Sequence, residues 1–197
     1  MYTIEKEEKN EIIIKNSQFI SLIYKVYSKE QINKYLQEAK LNYPEATHYC
    51  YAYKIDDQVK SNDDGEPSGT AGLPILEVIN KQELNYTLII VIRYFGGIKL
   101  GAGGLLRAYS KSASNVLKLC QLNELKQGKQ LTISFNYDLV KQINYLLKDE
   151  IIINKYYDEL ITYEFKTAND QIINKISNMP NIKTITSKDI YIENKAD

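Results

Sequence analysis

One unit constrains this chain more than any other. An apolar, β-branched run at 86–93 (YTLIIVIR) feeds a glycine loop, and the loop feeds an amphipathic pattern. The run reads as a strand buried on both faces. Five of the nine glycines follow it, Gly96, Gly97, Gly101, Gly103 and Gly104. Beyond them Leu105, Leu106, Tyr109, Ala113, Val116, Leu117 and Cys120 fall on one helical face. Arg107, Lys111, Ser114 and Lys118 fall on the other. Strand, glycine turn, helix N-terminus is a geometry that exposes backbone N–H groups and the positive end of a helix dipole, and so suits an anion.

The only two arginines, Arg93 and Arg107, bracket this loop in a chain whose other basic residues are lysines. A guanidinium fork at both ends suggests geometric recognition rather than a point charge. Arg107 in a first helical turn is electrostatically misplaced unless an anion neutralises it. Two readings follow. The loop, with Lys99, Lys111 and Lys118 nearby, binds phosphate or nucleic acid; or the glycines only permit tight turns and Arg107 pairs with an internal acid. Neither nucleotide signature is present. Gly96 to Gly101 has Walker A spacing, but Ala102 and Gly103 stand where Lys and Ser/Thr belong. Gly101 and Gly103 open a dinucleotide fingerprint in which Leu106 occupies the third glycine position. No cofactor is expected.

A second unusual stretch is 63–72 (DDGEPSGTAG). Asp63, Asp64 and Glu66 are hard oxygen ligands suited to a divalent metal. They are also the natural partners of the arginines, which favours a conformational turn and no metal. On that reading the turn lies against the glycine unit, and Ser68 or Thr70 caps the following helix. At 47–54 (THYCYAYK) an alternating strand puts His48, Cys50 and Ala52 on one face. His48 is the only histidine, and with Cys50 it forms a weak nucleophile–base candidate lacking an evident orienting acid. Tyr49, Tyr51 and Tyr53 on the other face read as sheet packing before base stacking.

Equal numbers of acidic and basic residues give zero formal charge. Nucleic-acid or membrane binding would therefore need a local patch. No apolar run approaches the ~20 residues of a membrane span. The charged N-terminus does not resemble a signal peptide, and two cysteines make no disulfide or zinc framework. A cytoplasmic protein with no membrane association is expected, of open oligomeric state. Short strands at 4–9 and 11–15, a better strand at 19–27 and a helix opening at Ser28, with Gln31 completing a capping box, precede the motifs. A polar stretch at 121–128 reads as a linker. After it the pattern is βαββαβ: strand 129–136, helix 137–150, hairpin strands 151–157 and 160–166, helix 169–178, and a last strand from 182. That is the ferredoxin-like order.

HYCYAY, DDGEPSGTAGLPIL and VIRYFGGIKLGAGGLLRAY together resemble the IMPACT family, in the bacterial branch called YigZ. The resemblance spans roughly residues 1–125. It implies an α+β protein: an N-terminal ribosomal protein S5 domain 2-like domain (1–125) and a C-terminal ferredoxin-like βαββαβ domain (126–197), a pairing similar to two adjacent domains of elongation factor G. The additional N-terminal RWD domain of eukaryotic members is expected to be absent. Eukaryotic members regulate translation. The resemblance therefore implies a non-enzymatic binding protein whose partner is RNA, the ribosome or a translation-associated protein. An enzyme or sensor for a phosphorylated small molecule at the glycine loop is the alternative.

Overall fold

The computed structural model describes residues 1–193, which divide into two compact units, one of Met1–Glu124 and one that begins at Leu125. The first contains β1 (Tyr2–Ile4), β2 (Glu8–Ile14), β3 (Ser17–Lys25), α1 (Lys29–Asn42), β4 (His48–Ile55), β5 (Gln58–Asn62), α2 (Gly72–Lys81), β6 (Thr87–Tyr94) and α3 (Ala102–Leu117). Its sheet is antiparallel throughout, in the order β2-β3-β6-β4-β5. The β-branched run is the central strand, buried along nearly its whole length as its composition requires. On one face, Phe19, Ile23, Cys50, Ala52, Ile89 and Val91 pack against Ile75, Val78 and Ile79 of α2 and Leu105, Tyr109, Ala113 and Val116 of α3. Helix α1 lies on β4 and β6, burying Ile32 and Ala39.

The α1 start follows the capping logic with one change. Ser28 Oγ accepts from Gln31 N at 3.4 Å, but the Gln31 side chain reaches past the cap to accept from Tyr27 N at 2.7 Å. Helix α3 departs from its predicted face at one position. Leu106 is 43% exposed, and the buried stripe runs instead through Ala108 and Ser112. The Ser112 hydroxyl is satisfied by Ser21 Oγ at 3.0 Å, so a polar residue fits the interface.

The second unit contains a 3₁₀ turn (Tyr137–Leu139), α4 (Val140–Leu146), β8 (Ile151–Tyr157), β9 (Ile161–Thr167), α5 (Asp170–Ser177) and β10 (Ile182–Glu193). With most of β7 (Leu122–Phe135) these form a sheet in the order β10-β7-β9-β8, the ferredoxin-like 4-1-3-2 arrangement. Leu131, Ile133, Phe135, Ile161, Tyr163 and Phe165 pack on Ile143, Ile172 and Ile176 of the two helices. The expected fold class therefore holds for both units.

The expected polar linker is a correction. Residues 121–128 are not a loop: β7 begins at Leu122, pairs with β1 over 122–124 and with β10 from Leu125 onward. Backbone pairing on a partner strand, not side-chain burial, holds this polar segment extended. The predicted helix over 137–150 is likewise shorter, a 3₁₀ turn followed by seven helical residues.

Candidate functional site

Sheet register builds the site. Arg93 stands directly between Phe19 on β3 and His48 on β4. Its guanidinium lies 5.4 Å from the ring centroids of both Phe19 and Phe95. Arg93 is 5% exposed, and a buried guanidinium needs a carboxylate. The 63–72 turn supplies it: Arg93 Nη1 donates to Glu66 Oε1 at 2.6 Å, and Nη2 donates to Ser17 Oγ at 3.3 Å. Tyr109 of α3 donates its hydroxyl to the same Glu66 oxygen at 2.8 Å. Thus β3, β4, β6, α3 and the turn converge on one carboxylate. Burial above all, with Cys50 and Glu66 beside it, pushes the Tyr109 phenol far above its ordinary range, so it remains a donor.

The rest of the turn is held by its own acids. Asp63 Oδ1 accepts from Ala71 N at 2.9 Å and Gly72 N at 2.8 Å, and Oδ2 accepts from Gly69 N at 2.8 Å. Asp63 therefore caps α2, correcting the expectation that Ser68 or Thr70 does so. Thr70 Oγ1 donates to Pro67 O at 2.6 Å, and Ser68 is exposed. Asp63 lies nine residues before the first residue of the helix, beyond the usual capping spacing; the turn folds it back. Asp64 Oδ2 accepts from Tyr49 N at 2.7 Å. No group of three or more His, Cys, Asp or Glu side chains among the described residues is arranged to hold a metal ion.

His48 and Cys50 share a face of β4 but part company chemically. Cys50 is fully buried, with Sγ 3.0 Å from Asp63 O and 3.4 Å from the Tyr109 hydroxyl. Burial pushes its thiol well above the ordinary range despite that hydroxyl, so it is not a thiolate nucleophile. His48 is half-buried. Its Nδ1 lies 2.7 Å from the Asp64 carbonyl oxygen, which can only accept, so Nδ1 carries a proton. Its Nε2 then faces Glu66 Oε2 at 3.8 Å.

His48, Glu66 and Arg93 line a cleft of about 420 Å³ together with Thr47, Pro67, Phe95, Lys99, Leu100 and the start of α3. Gly101 caps α3 at φ 73°, ψ 164°, a conformation essentially confined to glycine. Among the described residues no side chain caps the amides of the first turn. Gly96 has a different role: an added Cβ would lie 2.0 Å from the Asn16 carbonyl carbon, so the loop packs directly on the β2–β3 turn. Gly97 and Gly103 are exposed and Gly104 is half-buried. The expected basic edge divides. Arg93 leaves it for the interior, because Glu66 neutralises it there. Arg107, Lys111 and Lys118 are exposed on the outer face of α3, away from the cleft lining. Arg107 and Lys111 line a shallower hollow with Glu77. Reasoning from sequence missed Tyr109, Ser17 and Phe95 as parts of the site. Tyr109 reads as core at helical spacing, and only its hydroxyl signals more.

Comparison with known proteins adds the following. Residues 15–117 match the Impact N-terminal domain. YvyE of Bacillus subtilis (strain 168), an IMPACT family member, is 40% identical over 168 residues, covering 83% of this chain and 77% of its own. YigZ of Escherichia coli (strain K12), also an IMPACT family member, is 32% identical over 155 residues, 75% and 76% respectively. A crystal structure described as that of a hypothetical protein superposes with a TM-score of 0.74 at 25% identity, over 93% of this chain and 95% of that one.

Proposed function

The chain belongs to the IMPACT family, and from that premise we propose that it is a non-enzymatic, cytoplasmic binding protein that acts on translation by holding RNA, free or in the ribosome. The observation that carries the reading is the outer face of α3. Arg107, Lys111 and Lys118 are all exposed there, and no described carboxylate lies within ion-pair distance of any of them. Glu77, the acid nearest that hollow, is paired with Lys81 at 3.6 Å. Cations left without internal partners along one helix face are positioned to follow a phosphate backbone. Zero net charge over the whole chain gives no global attraction, so it is confined to this stripe. The translational role of the family's eukaryotic members agrees with a partner of this chemistry.

Fluorescence anisotropy with a ribosomal RNA fragment across a salt series tests the proposal. The Arg107→Ala/Lys111→Ala protein is expected to bind more weakly at every salt concentration, with a log–log salt slope reduced by about 2. Unchanged affinity and slope would reject this face as the contact. A pull-down from native lysate, with and without nuclease, shows whether RNA itself carries the association.

A further inference from the structure

The cleft floored by Glu66 and His48 is a separate site, on a different surface of α3 from the cationic stripe. Glu66 is 8% exposed, yet only one of its oxygens is satisfied. Oε1 accepts from Arg93 and Tyr109; Oε2 accepts no hydrogen bond among the described residues. His48 Nε2 lies 3.8 Å from it, too far for a direct bond. With Nδ1 donating to Asp64 O, the tautomer of His48 left when the ring is neutral has its lone pair on Nε2. Two acceptors thus lie 3.8 Å apart, and an incoming O–H can donate to either one. Unmet acceptors at this floor suit a group that donates. Arg93 already neutralises Glu66, so a neutral hydroxyl fits this floor better than an ammonium.

Other residues lining the cleft have the reverse character. Lys99 and the uncapped first turn of α3 offer an ammonium and backbone N–H groups, the chemistry of a phosphate site. Phe95, Leu100 and Leu105 add apolar lining. A volume of about 420 Å³ lies within the range of small-molecule sites. We propose that this cleft binds a small phosphate monoester carrying free hydroxyls, its phosphate on Lys99 and the α3 N-terminus and a hydroxyl donating to Glu66 Oε2 or His48 Nε2.

Because His48 is the only histidine, its ring signals in long-range ¹H–¹⁵N NMR report on the floor without ambiguity. Ribose 5-phosphate, ribose and inorganic phosphate are the probes, titrated into the full chain. Ribose 5-phosphate is expected to shift the His48 signals saturably, and to bind at least about tenfold more tightly than inorganic phosphate or ribose. Lys99→Ala, an exposed change, should weaken it about tenfold. Ala102→Trp, which fills the cleft from its exposed rim, should abolish it. Glu66→Gln is the direct test of the floor but breaks the Arg93 pair and can unfold the chain; the two rim variants keep the proposal testable if it does. Arg107→Ala/Lys111→Ala should bind ribose 5-phosphate as the unmodified chain does, which separates this site from the RNA-binding face. His48 signals unmoved by ribose 5-phosphate, or moved equally by inorganic phosphate, would overturn the proposal, as would shifts that survive Ala102→Trp.

Discussion

Arg93 and Arg107 are the same residue type, fourteen positions apart, in opposite physical situations. Arg93 is sealed between two aromatic rings with its carboxylate 2.6 Å away. Removing Glu66 leaves that charge buried and unpaired, which costs about 3–5 kcal/mol. Arg107 stands in water near a helix N-terminus, where a cation gains nothing. Urea denaturation should therefore show Glu66→Ala losing about 3–5 kcal/mol and Arg107→Ala changing by no more than about 0.5. Equal losses in the two proteins would contradict the assignment. The cysteines separate in the same way. Cys50 is sealed, and burial pushes Cys120 up to about 11. Thiol titration with an aromatic disulfide should find Cys50 unreactive in the native state and fully reactive in denaturant, whereas fast native labelling of Cys50 would show that the turn opens.

At the scale of elements, the Asp63 cap sets how α2 begins. Burial alone would raise its carboxyl, but the amides of Gly69, Gly72 and Ala71 outweigh burial and hold it below the usual carboxylate range. A lowered carboxylate contributes stability that is complete above the unfolded value of about 4 and fades as pH falls through the folded value. Asp63→Asn should then cost about 1 kcal/mol at neutral pH, and the gap should close as the solution is acidified below about pH 4. A gap independent of pH would mean that the charge does not matter. The α3 start makes a second prediction: Gly101→Ala should cost about 1–3 kcal/mol in thermal melts although open space surrounds it, because the backbone there is closed to other residues. Elements that bury a periodic face were legible from sequence: β6 by its unbroken apolar run, α3 by its stripe, β9 by strict alternation. Elements held by backbone pairing alone were not. β5 (Gln58–Asn62) is a polar edge strand exposed at Gln58, Val59 and Lys60, and the first half of β7 buries only Leu125 and Gly128. Of the site, the pairing of the 63–72 turn with Arg93 was readable because a buried arginine needs an acid; the same reasoning failed for Arg107, which is exposed. The cleft was not, since it depends on the strand register that sets His48 beside Arg93.

For the whole molecule, each unit carries a core of its own, built on a sheet and its helices. Residues 1–124 produced alone are therefore expected to unfold in one cooperative transition and to keep the buried Cys50 protected from thiol reagents. A non-cooperative melt, or a reactive Cys50, would show that this core needs the rest of the chain. The five-stranded sheet of that unit is open, so β2 and β5 each present one row of unpaired backbone groups. Those are the groups that template growth when chains meet at high concentration, and the residues along them resist it. Glu8, Lys9 and Glu11 place alternating charge on one rim; Gln58 and Lys60 keep the other short and hydrated. Ile13, 69% exposed, is the weak point, because it sits on the β2 edge past the last of those charges. Shelf life in concentrated solution is thus governed at the rim of the sheet: substituting lysine there should suppress fibril seeding while leaving every interior contact untouched.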